Sequence, residues 1–145
     1  RVLFRSWSDL LGGCPIAFIH KTRDPRIPNE STTGKVVGEV KGQTCVVIDD
    51  MIDTAGTITK AVDACLAEGA SEVIIAATHG VLSGPAIERL KNSKAQEVVL
   101  TNTLPIADES RFDKLTVLSI APLVARAIRE VFEDGSVTSL FDGHS

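Results

Sequence analysis

The sequence has few of the residues that mark a disulfide-linked or metal-bound protein. Its 145 residues include three cysteines, three histidines and no tyrosine, and aromatic residues make up 4%. Cys14, Cys45 and Cys65 are far apart and lie in apolar or helical sequence, which predicts reduced core thiols rather than disulfides or metal ligands. The histidines stand near no paired cysteine and do not repeat at the spacing of a zinc site. A structural zinc site is therefore not expected.

The sequence also lacks the basic surplus of a nucleic-acid-binding protein. There are 15 Lys and Arg residues against 19 Asp and Glu, a formal net charge of -4, and the basic residues are dispersed. Dispersed basic residues argue against a nucleic-acid partner. No apolar run reaches the roughly 18 residues that a membrane-spanning helix needs, and no secretory signal is recognised. These absences predict a cytoplasmic protein with neither a nucleic-acid nor a membrane partner.

What the sequence does have is the composition of a globular domain. Hydrophobic residues make up 43% and charged residues 23%, and a domain of this length buries about 70% of the surface of its unfolded chain. Residues 7–145 are therefore predicted to form one domain. Residues 1–6 lead into Trp7 without a capping or turn signal and resemble the translation of a sequencing adapter, so we expect this short stretch not to be native.

Short apolar strands alternate with amphipathic helices along the chain. Strands are predicted at Ile16–Ile19, Glu72–Thr78, Glu97–Thr101, Leu115–Ile120 and Val137–Phe141, with Val36–Val40 and Thr44–Ile48 as a hairpin. Helices are predicted to end near Leu11, to run from Ile58 to Leu66 and over Pro85–Lys91, and to begin at Pro122. The polar residues Lys21–Lys35 predict a long mobile loop. The alternation predicts an α/β fold with a mostly parallel sheet, helices on both faces, and ligands at the carboxyl ends of the strands.

The strongest functional pattern is a small-residue turn where the period changes from strand to helix. It reads Asp53-Thr54-Ala55-Gly56-Thr57. Backbone amides at the start of the helix, together with the Thr54 and Thr57 hydroxyls, would form a site for a phosphate monoester. Ala55 and Gly56 would let the phosphate come close to the backbone. The turn is not a Walker loop, because the Gly and Lys spacing of that motif is missing.

Two adjacent carboxylates, Asp49 and Asp50, end the apolar strand just before this turn. They would accept hydrogen bonds from vicinal sugar hydroxyls, directly or through a magnesium ion, so that a sugar phosphate satisfies both halves of the pattern. A structural alternative stays open, in which Asp53 only caps the helix and the other two acids are a solvated strand end. Three carboxylates within five residues repel one another, and a structural role alone explains them poorly.

The stretch Val46–Thr57 resembles the phosphoribosyl-diphosphate-binding signature of the type I phosphoribosyltransferases. The form I-D-D-M-I-D-T-A-G-T-I, together with Thr78–Ala86 and Thr101–Thr103, is similar within that group to the ribose-phosphate diphosphokinase family, and most of all to its actinobacterial branch. The resemblance covers roughly Trp7 to Phe141. It implies the type I phosphoribosyltransferase fold with a mobile catalytic loop.

The resemblance also implies a reaction. The family transfers the diphosphoryl group of ATP to the C1 hydroxyl of ribose 5-phosphate, with Mg2+, and forms 5-phosphoribosyl 1-diphosphate and AMP. Its catalytic Lys and Arg fall on Lys21 and Arg23, and a cationic loop there would neutralise the transferred group. The ribose 5-phosphate site falls on Arg23, on Asp49 and Asp50, and on the turn Asp53–Thr57.

Other family properties bear on what this chain would contain. Family members have two similar domains and form homo-oligomers, hexamers by resemblance, and their amino-terminal part carries the metal ligands, so no metal ligand is assigned here. The chain would be the carboxyl-terminal domain, and alone it would fold yet be inactive. Ser136, Thr138 and Ser139 lie where the family forms an allosteric nucleotide site, with an ordinary edge strand as the alternative. Two other functions stay open, a non-catalytic regulatory paralogue and a base-using phosphoribosyltransferase.

Overall fold

The computed structural model describes residues 7–23 and 31–140, and at residues 20–23, 31–34 and 139 it describes the backbone alone. Strands β1 (Phe18–Arg23) and β2 (Ser31–Val37) pair as an antiparallel ribbon. A parallel sheet contains β3 (Thr44–Ile52), β4 (Glu72–Gly80), β5 (Glu97–Thr101) and β6 (Leu115–Leu118). The helices are α1 (Gly56–Ala67), α2 (Ala86–Asn92) and α3 (Ala121–Phe132), and 3-10 turns lie at Asp108–Ser110 and Val137–Leu140.

The parallel sheet is ordered β3-β4-β5-β6, as the strands follow one another in sequence. Its register is regular, with Val47 opposite Ile75 and Ile75 opposite Val98. Because crossovers between parallel strands are right-handed, strands added in one direction place α1 and α2 on the same face. All strands run the same way, so their carboxyl ends meet at one edge. The α/β fold with a parallel sheet flanked by helices is therefore confirmed.

The core lies between this face of the sheet and the two helices. Val73, Ile75, Val98 and Leu100 are fully buried in it, and alternate residues of β4 and β5 contribute to it. From the helices it takes Ile58, Val62 and Cys65 of α1 and Ala86 and Leu90 of α2. Burial of such a side chain stabilises the fold by about 1.5 to 3 kcal/mol. The helical period predicted from Ile58 onward is confirmed by this burial pattern.

The predicted hairpin and the predicted loop are both different in the structure. β2 pairs with β1 rather than with β3, and β3 pairs in parallel with β4. Residues 21–23 and 31–35, predicted as loop, lie in the ribbon, while residues 24–30 of that loop lie outside the described residues. The β-branched residues Thr32, Thr33, Val36 and Val37 favour a strand. Pairing with β1 supplies the backbone hydrogen bonds of β2, with partners from Val37 opposite Phe18 to Ser31 opposite Arg23.

Residues 7–14 and 119–140 form one compact unit, and residues 15–23 and 31–118 form another. Residues 7–10 are helical, and Gly12 and Gly13 follow with positive φ, as predicted. α3 begins with proline in its first turn, as predicted, but none of its residues is buried. Val137–Leu140 is a 3-10 turn rather than the predicted extended segment. Within residues 7–23 and 31–140, no helix is long and apolar enough to cross a membrane.

Candidate functional site

The predicted acids lie at the carboxyl edge of the parallel sheet. Asp49 and Asp50 are the sixth and seventh residues of β3, and both are exposed. The backbone N–H of Asp50 donates to Asp49 Oδ1 at 3.0 Å, and the N–H of Met51 donates to Asp50 Oδ1 at 2.8 Å. Successive side chains of a strand point to opposite faces. The two carboxylates therefore lie on opposite faces of the sheet at this edge. A ligand bound at the edge would meet one hydrogen-bond acceptor on each face.

The turn after β3 leads directly into α1. Asp53, Thr54 and Thr57 are exposed, while Ala55 is buried and has left-handed backbone angles, φ 61° and ψ 2°. Ala55 is the N-cap residue of α1, and no side chain of the described residues caps this end. The alternative in which Asp53 caps the helix is therefore not what the structure shows. Uncapped amides at a helix start carry partial positive charge and bind anions.

Every backbone carbonyl from Ile52 to Ala55 accepts a hydrogen bond. The segment that follows β4 donates to the first two, since Ile52 O accepts from the N–H of Val81 and of Leu82, and Asp53 O from that of Ser83, each at 3.0 Å. Thr59 of α1 donates to Ala55 O from its N–H at 3.1 Å and its hydroxyl at 2.9 Å. An anion at this turn therefore meets amides and hydroxyls without facing an unpaired carbonyl.

The carbonyl of Thr54 is held by a side chain that sequence reasoning missed. Arg89 of α2, 35 residues further along, donates from Nη1 to Thr54 O at 2.9 Å. The same Nη1 would lie 3.1 Å from a Cβ built on Gly56. Nothing in the local pattern around Arg89 points to this contact, because it depends on how α2 packs beside α1.

A second group of polar side chains lies at the ends of β4 and β5. His79 Nδ1 is 2.9 Å from Thr103 Oγ1, and Thr103 Oγ1 donates to Thr78 O at 3.0 Å. Thr101 Oγ1 donates to the same carbonyl at 2.7 Å. These residues carried the family resemblance but were not predicted as site residues. Their hydrogen bonds join the ends of two strands, and the register places His79 opposite Met51, two residues after Asp49.

Lys21 and Arg23 have only their backbone described. Both lie in β1, where Lys21 pairs with Thr33 and Arg23 with Ser31 of β2. Their side chains lie outside the described part of the chain. Ser136 and Thr138 are exposed at the 3-10 turn near the C-terminus, and their hydroxyls hydrogen-bond to each other, whereas Ser139 is described by its backbone alone.

Carboxylate oxygens make this edge suitable for a magnesium ion that is shared with a substrate. Mg2+ is usually held by one or two carboxylates plus substrate phosphates and water. Asp49 and Asp50 provide such oxygens, exposed at the edge next to the turn. Among the described residues no group of three or more His, Cys, Asp or Glu side chains could hold a metal by itself. The donor set therefore fits a magnesium ion bound jointly with a phosphorylated ligand.

The cysteines of the core have no part in this site. Burial, followed by the neighbouring Cys45 thiol, raises the pKa of Cys65 to about 11. Burial also raises the pKa of Cys45 above its ordinary value. A thiol must lose its proton to act as a nucleophile or metal ligand. All three cysteines are free, with Cys65 buried in the core and Cys45 packed against it.

Comparisons with known proteins show what this chain is similar to. Residues 19–142 match the family model described as the phosphoribosyl synthetase-associated domain. "Ribose-phosphate pyrophosphokinase" of Mycobacterium bovis is 65% identical over 137 residues, which cover 94% of this chain and 42% of that protein. The protein of the same name from Streptomyces coelicolor is 65% identical over 136 residues, with 94% and 42% covered.

A solved structure is similar in fold as well as in sequence. The crystal structure of phosphoribosylpyrophosphate synthetase from Mycobacterium smegmatis superposes with a TM-score of 0.81 and is 57% identical. The match covers 92% of this chain and 42% of that one. The chain thus spans 42% of the length of the relatives it matches.

Proposed function

The chain belongs to the phosphoribosyl synthetase-associated domain family, and we propose that it is the carboxyl-terminal catalytic domain of an enzyme that makes 5-phosphoribosyl 1-diphosphate from ATP and ribose 5-phosphate. The observation that carries the proposal is the uncapped turn Asp53–Thr57, which follows two exposed carboxylates at the carboxyl edge of the sheet. Because the chain spans 42% of the length of its relatives, the proposal concerns the complete enzyme, with the remaining domain supplied outside this sequence.

The turn is proposed to bind the 5-phosphate. The donors are the first amides of α1 and the exposed hydroxyls of Thr54 and Thr57. The neighbouring backbone carbonyls already accept hydrogen bonds, so no unpaired carbonyl oxygen would repel the phosphate. The carboxylate of Asp53 is exposed at the start of the turn and would accept hydrogen bonds from the sugar. Such charge-assisted hydrogen bonds contribute about 1.5 to 3 kcal/mol each.

The ribose ring is proposed to lie against Asp49 and Asp50. Vicinal hydroxyls donate to carboxylate oxygens, and these two acids reach the edge from opposite faces of the strand. Holding the ring and the phosphate together fixes the position of the C1 hydroxyl, which reduces the entropy lost on the way to the transition state. Bound Mg2+ would neutralise charge on the polyphosphate of ATP.

The transfer itself is proposed to depend on Lys21 and Arg23. The C1 oxygen forms a bond to the β-phosphorus of ATP, and the bond from that phosphorus to the oxygen of the α-phosphate breaks. AMP leaves with that oxygen, and the proton of the C1 hydroxyl is released to water. Negative charge shifts onto the phosphoryl oxygens and the leaving group during this step. Cationic side chains placed beside those oxygens stabilise the transition state more than the ground state. Arg23 would also contact ribose 5-phosphate.

Assembly and regulation are proposed by analogy with the family. The complete enzyme is expected to form a homo-oligomer, a hexamer by resemblance, and to act in the cytoplasm without a nucleic-acid or membrane partner. The exposed, hydrogen-bonded hydroxyls of Ser136 and Thr138, with Ser139, are the proposed contribution to an allosteric nucleotide site.

A product assay on the complete enzyme tests the proposal. ATP, Mg2+ and ribose 5-phosphate should give AMP and 5-phosphoribosyl 1-diphosphate in equal amounts, and ribose without the phosphate should react poorly. Consumption of a nucleobase with 5-phosphoribosyl 1-diphosphate, without AMP release, would assign a phosphoribosyltransferase instead. A protein that is inactive in both assays but assembles with active subunits would be a regulatory paralogue.

A further inference from the structure

We propose that Arg89 is a positioning residue that holds the turn Asp53–Thr57 in the conformation that binds the phosphate. The proposal rests on the proposed function and names a residue of that site that the sequence pattern does not show. Its guanidinium donates from Nη1 to the carbonyl of Thr54 at 2.9 Å. Within the described residues, Arg89 is the one side chain that donates to the carbonyls of Ile52, Asp53 and Thr54, since the other donors are backbone N–H groups.

Holding the Thr54 carbonyl determines where the next amide points. In a trans peptide the C=O and the N–H point in opposite directions, so the N–H of Ala55 points away from Arg89. A flip of this peptide would turn the amide back and place the carbonyl oxygen on the other side, where it would repel a phosphate. The hydrogen bond from Arg89 opposes that flip.

The backbone of Ala55 has a conformation that needs stabilising contacts from neighbouring groups. Ala55 has φ 61°, and a residue with a Cβ loses about 1 to 2 kcal/mol in the left-handed region. Ala55 is also buried, and packing in the core holds its methyl group in place. The peptide group between Thr54 and Ala55 can still rotate. Conformations of this kind persist when surrounding contacts favour them. Arg89 supplies such a contact on the peptide that precedes Ala55.

Gly56 is a second residue of the turn that lies beside the Arg89 guanidinium. A Cβ at Gly56 would lie 3.1 Å from Arg89 Nη1, which is tighter than an ordinary contact, and 3.8 Å from Arg89 Cζ. The absence of a side chain at Gly56 therefore makes room for the guanidinium as well as for a phosphate. Two residues that share a contact show coupled effects when both are changed, and this coupling separates positioning from a general effect of charge.

Kinetics of the complete enzyme test the proposal. Arg89→Ala is expected to raise KM for ribose 5-phosphate about 10-fold, the effect of losing one charge-assisted hydrogen bond, with kcat and KM for ATP changed less than about 2-fold. Arg89→Lys keeps a cationic donor and should recover part of the loss. Lys91→Gln removes one positive charge from an exposed position on the same helix and should leave all three constants unchanged. Equal effects of Arg89→Ala and Lys91→Gln would overturn the proposal.

A double-mutant cycle sharpens this test. Gly56→Ala should raise KM for ribose 5-phosphate in the wild type and raise it less when Arg89 is already alanine, because the added methyl group then has room. The same increase in both backgrounds would show that Gly56 and Arg89 do not act together. If Arg89→Ala lowered the melting temperature and changed KM for ribose 5-phosphate and KM for ATP equally, Arg89 would have a structural role and the proposal would be overturned.

Hydrogen exchange gives a readout that does not need turnover. The amides of Ser83 and Thr59 donate to carbonyls of the turn, so a loosened turn in Arg89→Ala should speed their exchange about 10-fold, and Lys91→Gln should not. If the wild type makes no product from ribose 5-phosphate, the proposed function fails while this measurement still decides the role of Arg89. Unchanged exchange at both amides would overturn it.

Discussion

The antiparallel ribbon and the parallel sheet carry different parts of the proposed site and are built differently. The ribbon has two strands, and a two-stranded ribbon alone is marginally stable in water. It contacts the core near its base, where Val36 is buried. The four-stranded sheet has a buried face covered by α1 and α2, and the carbonyls from Ile52 to Ala55, at the end of β3, all accept hydrogen bonds. If the proposed function holds, the well-packed sheet would carry the groups that bind the sugar phosphate, and the two-stranded ribbon would carry the catalytic cations.

This difference predicts a separation in kinetics. Changes in the turn should mainly alter the affinity for ribose 5-phosphate, because in the proposed function its groups would contact the substrate in the ground state and the transition state alike. Changes in the ribbon should mainly alter turnover, because Lys21 would meet charge that develops only during transfer. Substitutions in the ribbon and in the turn test the two halves of that separation.

The largest effect is expected at Lys21. Lys21→Ala in the complete enzyme should lower kcat about 100-fold or more, because a cation beside the transferred group is lost, and should leave KM for ribose 5-phosphate nearly unchanged. Lys35→Ala, an exposed lysine on the other strand of the ribbon, is the matched control and should retain normal turnover. Steady-state rates of AMP release measure both. Normal turnover in Lys21→Ala would remove this residue from the mechanism.

The base of the ribbon offers a stability test. Gly38 has φ 132°, and a Cβ there would lie 2.8 Å from Cα of Ala17, so Gly38→Ala should destabilise the fold by about 2 kcal/mol. Gly42→Ala is the control, since Gly42 has φ 71° but nothing lies within 4 Å of its built Cβ, and it should cost about 1 kcal/mol. Urea unfolding midpoints compare the two. Equal midpoints would mean that the approach of Ala17 to Gly38 does not anchor the ribbon.

A smaller effect is expected in the turn. Asp53→Ala should raise KM for ribose 5-phosphate about 10-fold, through the loss of a charged hydrogen-bond acceptor, while kcat changes little. Asp63→Ala removes an exposed acid from α1, whose contact with Lys94 is 3.9 Å long, and should leave KM as it is. If Asp53→Ala lowered kcat instead and left KM normal, the turn would not be the binding element.

Most of the parallel sheet follows from local patterns. The strand at Glu97–Thr101 was predicted with the bounds that it has, and the burial of Ile58, Val62 and Cys65 follows the helical period. The acids and the small-residue turn were predicted because a strand, carboxylates and a helix start occur within a few residues of one another. Burial and exposure of these segments depend mainly on which of their own side chains are apolar.

The pairing of the ribbon could not be predicted in the same way. Val36–Val40 followed by a short polar stretch and Thr44–Ile48 has the pattern of a hairpin, yet β2 pairs with β1. A hairpin pattern considers only two strands that are neighbours in sequence. It does not show whether either strand pairs better with a third strand elsewhere in the chain. β3 pairs instead with β4, whose fully buried Val73 and Ile75 lie opposite Cys45 and Val47, and these partners are almost 30 positions apart in the chain.

By itself, the sequence determined the alternation of strands and helices, the position of the turn after β3 and the presence of acids beside it, because each of these depends on residues close together in the chain. Only the tertiary structure decided which strands pair, that no side chain of the described residues caps α1, and that Arg89 donates to the carbonyl of Thr54. These features depend on contacts between distant segments, and their free energy comes from burial and geometry that local propensity does not contain.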